Sequence, residues 1–341
     1  MHIDLTDLKL QNVDIGERLS IETVRRIPTM SDSALLGPPA QTQTSARDAV
    51  RLLTRAGRVI ASQQDLSAAV AFWSKIVRDP RAIADWIAFS SDHFKSHGAR
   101  EPNARELRKP QRNCGILGRS VRQRVDALKA HYTFAESHLP PPMHRALLDL
   151  GQLPVARVAA RGTTFDLCLG SSLPYGQKQE GELTVWLTNS DGLSLARMAF
   201  SFGIDAGGAA SLLIGGLQGL TAHQDKKLIV TATRQLSGLR PKDAVLVAVQ
   251  GVARALDIHN VYAVSNATHV LAAEWFMSNS VISRDYDSFW KERGGIPEPG
   301  IGYVLPPCDY GARVTAAKDP RLLDRHRASI SRQVEASILA K

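Results

Sequence analysis

The residues best suited to chemistry fall in a few short stretches. Gln235-Leu-Ser-Gly-Leu-Arg240 stands directly before Pro241, where a helix is expected to begin. The first N–H groups of a helix lack internal partners, and the aligned peptide dipoles favour an anion there. Gln235, Gly238, Arg240 and Lys242 are therefore candidate phosphate contacts, and Lys227 could add charge. The same string also serves as an ordinary loop feeding a helix. Glu180 and Glu182 share side-chain parity if both belong to one strand. Two carboxylates on one face can include a general base whose pKa its neighbour raises, or can form a solvated strand face. Tyr286 lies between Asp285 and Asp287, and a phenol near pKa 10 suits protonation of a departing thiolate. Gln218 follows the Gly215-Gly216 pair and could offer its amide to a substrate carbonyl. Asn266 could cap a helix running from Val270 to Phe276. His131, His259 and His269 are each available for acid–base work or for the core.

Other chemistries lack their patterns. No Gly-x-Ser-x-Gly elbow occurs, and Gly207-Gly208 is not followed by the Gly-Lys-Ser/Thr of a phosphate loop. The ten histidines show no His-Glu-x-x-His or comparable ligand spacing, so no metal is expected. Cys114, Cys168 and Cys308 are too few and scattered for a disulfide framework, which suggests three separate thiols in a reduced compartment. No apolar run approaches a membrane span, and no secretory leader opens the chain, so a cytoplasmic protein is expected.

The elements that must carry these residues fall into three zones along 341 residues. Residues 1–45 are polar and read as a flexible leader. Residues 46–150 read as helical. Ala49, Leu52, Leu53 and Ala56 recur at helical spacing, as do Ala68, Phe72 and Ile76, and then Ile83, Trp86 and Ile87. Asp65 or Ser67 could cap the second helix. A third is expected from Leu117 to Tyr132, with Pro140-Pro141-Pro142 stopping the segment after it. Residues 151–341 change period. Leu183, Val185 and Leu187 alternate with Thr184, Trp186 and Thr188, a half-buried strand. Asn189–Gly192 turns into a returning strand at Leu193–Phe202, and Asp205–Ala209 turns again into Ser211–Gln218. A helix from Pro241 carries Val245, Val249, Val252 and Leu256, and the strand Asn260–Ser265 comes next. A meander, a helix and a further strand give an α+β class. The net charge is +9, with much of the excess between Arg100 and Lys129. That run could attract RNA or an anionic surface, or form a solvated helical face. It lacks the interleaved aromatics that stack on bases, so nucleic acid is not favoured.

These residues carry two resemblances. Leu213-Ile-Gly-Gly-Leu-Gln-Gly219, Ser237-Gly-Leu-Arg-Pro-Lys242 and Asp285-Tyr-Asp-Ser-Phe-Trp-Lys-Glu292 resemble the signature blocks of the bacterial VirK/YbjX family. His131-Tyr132, Glu180-Gly-Glu182, Val264-Ser-Asn266 and Leu305-Pro306 agree as well, in order, across residues 45–330. The closing segment Arg325–Gln333 lacks the family's usual tyrosines. This resemblance implies a link to virulence and envelope phenotypes of Gram-negative bacteria, and no defined reaction. Separately, Gln235–Arg240 resembles a degenerate form of the Gln/Arg-x-x-Gly-x-Gly/Ala turn of GCN5-related acyltransferases, with Arg240 where Gly or Ala is usual. That resemblance implies an acyltransferase-like mixed sheet, acyl-coenzyme A as donor and an amine of a small molecule or peptide as acceptor. In it, Glu182 would act as base and Tyr286 as acid, while Gln218, Glu180, Asn266 and Asp287 would be signature or substrate positions. A non-catalytic regulatory protein binding RNA, protein or an anionic surface is the alternative. The two readings part on whether the Gln235–Arg240 turn can admit a pyrophosphate, and the most informative observation is whether the strands at 211–217 and 261–265 splay apart.

Overall fold

The computed structural model describes residues 45–220, 227–272, 285–308 and 321–340. The expected leader thus lies almost wholly outside the described residues, as does most of the helix expected at Val270–Phe276.

Among the described residues six α-helices precede the sheet: α1 (Ala46–Gln63), α2 (Leu66–Ile76), α3 (Pro80–Ser96), α4 (Ala104–Leu107), α5 (Val121–His138) and α6 (Pro141–Leu148). Their starts obey local chemistry. The Ser45 hydroxyl accepts the Asp48 N–H, and the Asp65 carboxylate accepts the Ala68 N–H at 2.6 Å. Asp79 caps α3 ahead of Pro80. The third expected helix begins four residues later than its periodicity suggests and runs on to His138. Gly118 sits at φ +90°, and Ser120 forms a capping box with Gln123, so the chain turns before the helix starts. The proline triplet opens α6 rather than stopping a segment, because Pro141 occupies the first turn, where its missing N–H costs nothing. Ile60, Phe72, Ile83, Trp86, Val125 and Leu128 form the helical core. The Trp86 indole N–H donates to the Glu106 carbonyl at 3.0 Å.

The sheet holds β1 (Gln152–Ala160), β2 (Thr163–Ser171), β3 (Leu183–Thr188), β4 (Ser194–Ile204), β5 (Ala210–Gln218), β6 (Asn260–Val264), β7 (Ile296–Glu298) and β8 (Gly302–Leu305), in the order β1-β2-β3-β4-β5-β6-β8-β7. The first five are an antiparallel meander. β5 and β6 are parallel, linked through α7 (Lys227–Gln235) and α8 (Pro241–Ala255). α9 (Tyr286–Lys291) precedes β7, and α10 (Leu322–Leu339) comes after β8. The class is α+β, as the sequence implies.

One face of the sheet presents Val185, Met198, Phe200, Leu212 and Ile214 to Val245, Val249 and Val252 of α8 and to Val334 of α10. Gly251 lets these helices approach, since a Cβ there would stand 3.2 Å from Val334. The other face of β3 is buried too. Thr184 and Trp186 lie under the 172–182 loop, where Ser172 and Thr184 hydroxyls meet at 2.8 Å and Tyr175 tilts against Trp186. β3 is therefore covered on both faces, where alternation predicts exposure on one. At the β1 edge, α10 supplies a side chain in place of a neighbouring strand. The Arg157 N–H donates to Gln333 Oε1 at 3.0 Å, and Gln333 Nε2 donates to the Arg157 carbonyl at 3.1 Å. Among the described residues no helix is long and apolar enough to cross a membrane.

Candidate functional site

The candidate site lies where β5 outruns β6. The two strands pair from Ser211↔Asn260 to Ile214↔Ala263, and no pairing continues beyond. Against β4 the register shifts at this point, with Phe200 opposite Ile214 and Ala199 opposite Gly216, so Gly215 is the extra residue of a bulge. Glycine is required at both positions for steric reasons. A Cβ on Gly215 would overlap the Glu180 carbonyl oxygen, and one on Gly216 would overlap the Glu180 side chain. The glycine pair therefore exists to admit Glu180.

Glu180 is buried and its carboxylate is held from several sides. Gln177 Nε2 donates to Oε2 at 2.6 Å, and Gln218 Nε2 donates to both oxygens at 3.1 and 3.2 Å. His269 Nε2 lies 3.5 Å from Oε1 and 3.3 Å from the Tyr286 hydroxyl. The His269 Nδ1 accepts the Leu271 N–H at 3.1 Å, so in the neutral ring Nε2 carries the proton and points between carboxylate and phenol. The Tyr286 ring stacks on His269 with centroids 5.0 Å apart. Its oxygen accepts the Leu217 N–H at 3.2 Å and stands 3.4 Å from the Leu217 carbonyl. Those two groups belong to the stretch of β5 that β6 leaves uncovered.

A polar knot holds Tyr286 in place. The Asn266 N–H donates to Asp287 Oδ1 at 3.0 Å, and Asn266 Oδ1 accepts the Tyr286 N–H at 2.9 Å. Asn266 Nδ2 reaches Asp285 Oδ1 at 3.3 Å, and the Trp290 indole donates to the Val264 carbonyl at 2.9 Å. Asn266 thus ties the end of β6 to the start of α9. Gln218, Glu180, Asn266, Asp287 and Tyr286 are brought together around one point; Gln177 completes the set and carries no signal of its own in the sequence.

Glu182 faces elsewhere. Its carboxylate forms a buried ion pair with Lys109 and accepts the Tyr132 hydroxyl at 3.2 Å. Burial, then the nearby Glu182 charge, pushes the Tyr132 phenol well above its usual range. Glu180 and Glu182 are not two rungs of a strand face, because β3 begins only at Leu183. His131 is buried, with Nδ1 accepting the Phe202 N–H at 3.1 Å, whereas His259 is exposed beside Asp257.

The Gln235–Arg240 turn comes after a helix, not a strand. Gly238, at φ +97°, closes α7 by donating its N–H to the Thr233 carbonyl at 2.8 Å, a helix-ending motif. Arg240 precedes α8 and lies 3.9 Å from Glu292, largely exposed. Asp243 in the first turn pairs with Arg293. Lys242 lies against Gly219 at the end of β5.

The basic stretch is not a solvated face. Arg124 is buried and donates to the Pro110 and Arg119 carbonyls at 2.7 and 2.6 Å. Lys129 and Arg122 both bind Asp85, and Arg100 grips Glu106 through two bonds. What remains outward is an open depression of about 790 Å³ lined by Arg105, Arg108 and Arg112, with Asp65 on its wall. Arg108 is 7% exposed, bonds Gln64 at 2.5 Å and leaves its Nε without a partner. Lys178, beside it, has its ammonium pKa lowered by burial and by Arg112, Arg105 and Arg108. The three cysteines are free thiols, and burial raises the pKa of Cys114.

Comparison with known proteins agrees with the signature blocks. Residues 61–314 match the family described as "Protein of unknown function (DUF535)". The chain is 28% identical over 218 residues to the "Uncharacterized protein YbjX" of Escherichia coli (strain K12), covering 63% of this chain. The match spans 64% of that protein's length. The chain belongs to the DUF535 family, and the VirK/YbjX resemblance is borne out.

Proposed function

We propose that this DUF535 chain is an acyl-coenzyme A-dependent acyltransferase whose reacting thioester lies beside the uncovered half of β5, with an amine as acceptor. The observation that carries this reading is the separation of β5 from β6 after Ile214↔Ala263, with a Gly215 bulge and the Tyr286 hydroxyl at the Leu217 amide. A parallel pair that parts at its carboxyl ends leaves main-chain groups without a strand partner, and here Tyr286 takes up those of Leu217. Acyl-coenzyme A would supply an activated thioester there.

The chain's own groups divide the work. The Leu217 N–H, which the Tyr286 oxygen accepts at rest, would turn to the substrate carbonyl oxygen as that oxygen gains charge. Tyr286 gives its proton to the departing sulfur as the carbon–sulfur bond breaks. Glu180 takes the proton that the amine nitrogen sheds as the amide bond forms. The His269 Nε2–H, which touches both, fixes their geometry, and Glu180 and Tyr286 return to their resting protonation by exchange with water after product leaves. The base role falls on Glu180 because it shares His269 with Tyr286, whereas Glu182 pairs with Lys109 and Tyr132. For the phosphates, Lys242 in the first turn of α8 is the group beside the end of β5, with Arg240 just ahead of that turn; Gln235 and Gly238 serve the end of α7. Calorimetry with acetyl-coenzyme A and longer acyl derivatives tests the reading. Saturable binding that Lys242→Ala weakens supports it, and absence of binding to every derivative refutes it.

A second reading, a non-catalytic binder of RNA, protein or an anionic surface, draws on the depression around Arg105, Arg108 and Arg112. Its affinity would fall steeply with salt, and Arg105→Gln/Arg112→Gln would flatten that slope. Arg119 and Arg124 are unsuited to such a test, being buried.

A further inference from the structure

We propose that the helical part holds a structural metal site for zinc or a similar first-row divalent ion, built from His93, His97, His144 and Glu136. The ligands come from three helices. His93 and His97 stand four residues apart on α3, hence on one face; Glu136 lies on α5 and His144 on α6. One ring nitrogen of each histidine falls within 4.8 Å of the others.

The atoms are already arranged as ligands would be. Zinc–nitrogen and zinc–oxygen bonds near 2.0–2.1 Å in a tetrahedron put neighbouring donor atoms about 3.3–3.4 Å apart. His93 Nε2 and His144 Nε2 are 3.4 Å apart, and His97 Nε2 and Glu136 Oε1 are 3.3 Å apart. Two opposite edges of the tetrahedron thus have the required length.

The second nitrogens point the same way. A metal-bound histidine generally donates its other N–H to a carbonyl or carboxylate. His97 Nδ1 lies 2.7 Å from the His93 carbonyl oxygen, which can only accept, so Nδ1 carries the proton and Nε2 offers a lone pair. That lone pair faces the Glu136 carboxylate, a second acceptor, and two acceptors at 3.3 Å require a cation between them or a proton. His93 Nδ1 lies 3.5 Å from the other Glu136 oxygen, so the carboxylate stands beside both histidines of α3. His93 and His144 are 6% and 2% exposed. Four protein donors, two of them on buried histidines, describe a closed, structural site rather than one with an open catalytic position. An ion here would clasp α3, α5 and α6 immediately before β1.

The test uses the full chain without a histidine tag, stripped by a chelator. Titration with cobalt(II) should give the intense visible bands of a tetrahedral ion, saturating at one equivalent and bleached by zinc. Zinc should raise the thermal midpoint, and His97→Gln and Glu136→Gln, both at partly exposed positions, should each weaken zinc binding at least ~10-fold. Weak octahedral cobalt spectra with no saturable zinc binding would overturn the proposal. So would unchanged zinc affinity in both folded variants.

Discussion

Lys109→Met should be among the most damaging single changes in the chain. It would leave the Glu182 carboxylate, whose side chain is 6% exposed, with only the Tyr132 hydroxyl at 3.2 Å. Removing one partner of a buried ion pair costs about 3–5 kcal/mol, because the surviving charge stays out of water uncompensated. With a denaturant slope of about 3 kcal/mol/M in urea, that moves the unfolding midpoint down by about 1–1.7 M. The double variant Lys109→Met/Glu182→Gln should recover most of the loss. The thioether fills the volume of the lysine stem, no charge remains, and the amide introduced at 182 still accepts from Tyr132. Its stability should fall within about 1–1.5 kcal/mol of the parent, since a neutral replacement of a buried pair is often nearly neutral. These two variants, Glu182→Gln alone and the parent form a double-mutant cycle, read by urea unfolding at pH 7. A cost below about 1 kcal/mol for Lys109→Met, or a double variant no more stable than the singles, would refute the reasoning that this pair is buried and mutually dependent.

Gly216→Ala should destabilise by about 1–3 kcal/mol despite alanine's better strand propensity, because its methyl displaces Glu180; chemical denaturation reads this. Gly238→Ala should cost about 1 kcal/mol through its positive φ alone, as nothing lies within 4 Å of its Cβ; a thermal melt is sufficient. Burial holds the His131 pKa well below 6.5, so its share of stability is complete above the unfolded value and is lost as pH falls. Each pH unit below about 6.5 should then cost up to ~1.4 kcal/mol, seen as a pH slope in unfolding of chelator-treated protein that His131→Gln reduces. On the acyltransferase reading, Tyr286→Phe should lower kcat by about 10²–10⁴-fold while coenzyme A binding persists, measured by thiol release.

Signals in the sequence are legible where the chemistry is local. Asp65 caps its helix, Pro241 opens α8, and the turns at Asn189–Gly192 and Asp205–Ala209 join β3, β4 and β5. β1 and β2 do not stand out: Pro154 and Arg157 interrupt the alternation, and an irregular register between Pro154 and Ala156 absorbs the proline. The glycine pair points to a close approach, but not to which residue approaches it, since Glu180 arrives from a loop 35 residues away. The charge of residues 100–129 misleads because a string does not show pairing: Asp85 and Glu182 neutralise part of it from elsewhere in the chain, and Glu106 from within it. The metal candidate escapes sequence reasoning for a similar reason. His93 and His97 do have helical ligand spacing, but their partners lie 39 and 47 residues beyond His97, on helices whose contact only packing reveals.

The seal on β1 also sets a timetable for synthesis. Arg157 and Gln333 are separated by 176 residues, so the strand is made long before the amide that satisfies its outer edge. At about 5–20 residues per second, a ribosome needs roughly 9–35 s to travel between them. Through that interval β1 carries an open hydrogen-bonding edge, and Val158 lacks the cover that α10 will bring. Nascent chains crowded on one messenger could pair edge to edge in this window, so stalling between β8 and α10 should promote aggregation more than stalling before β1.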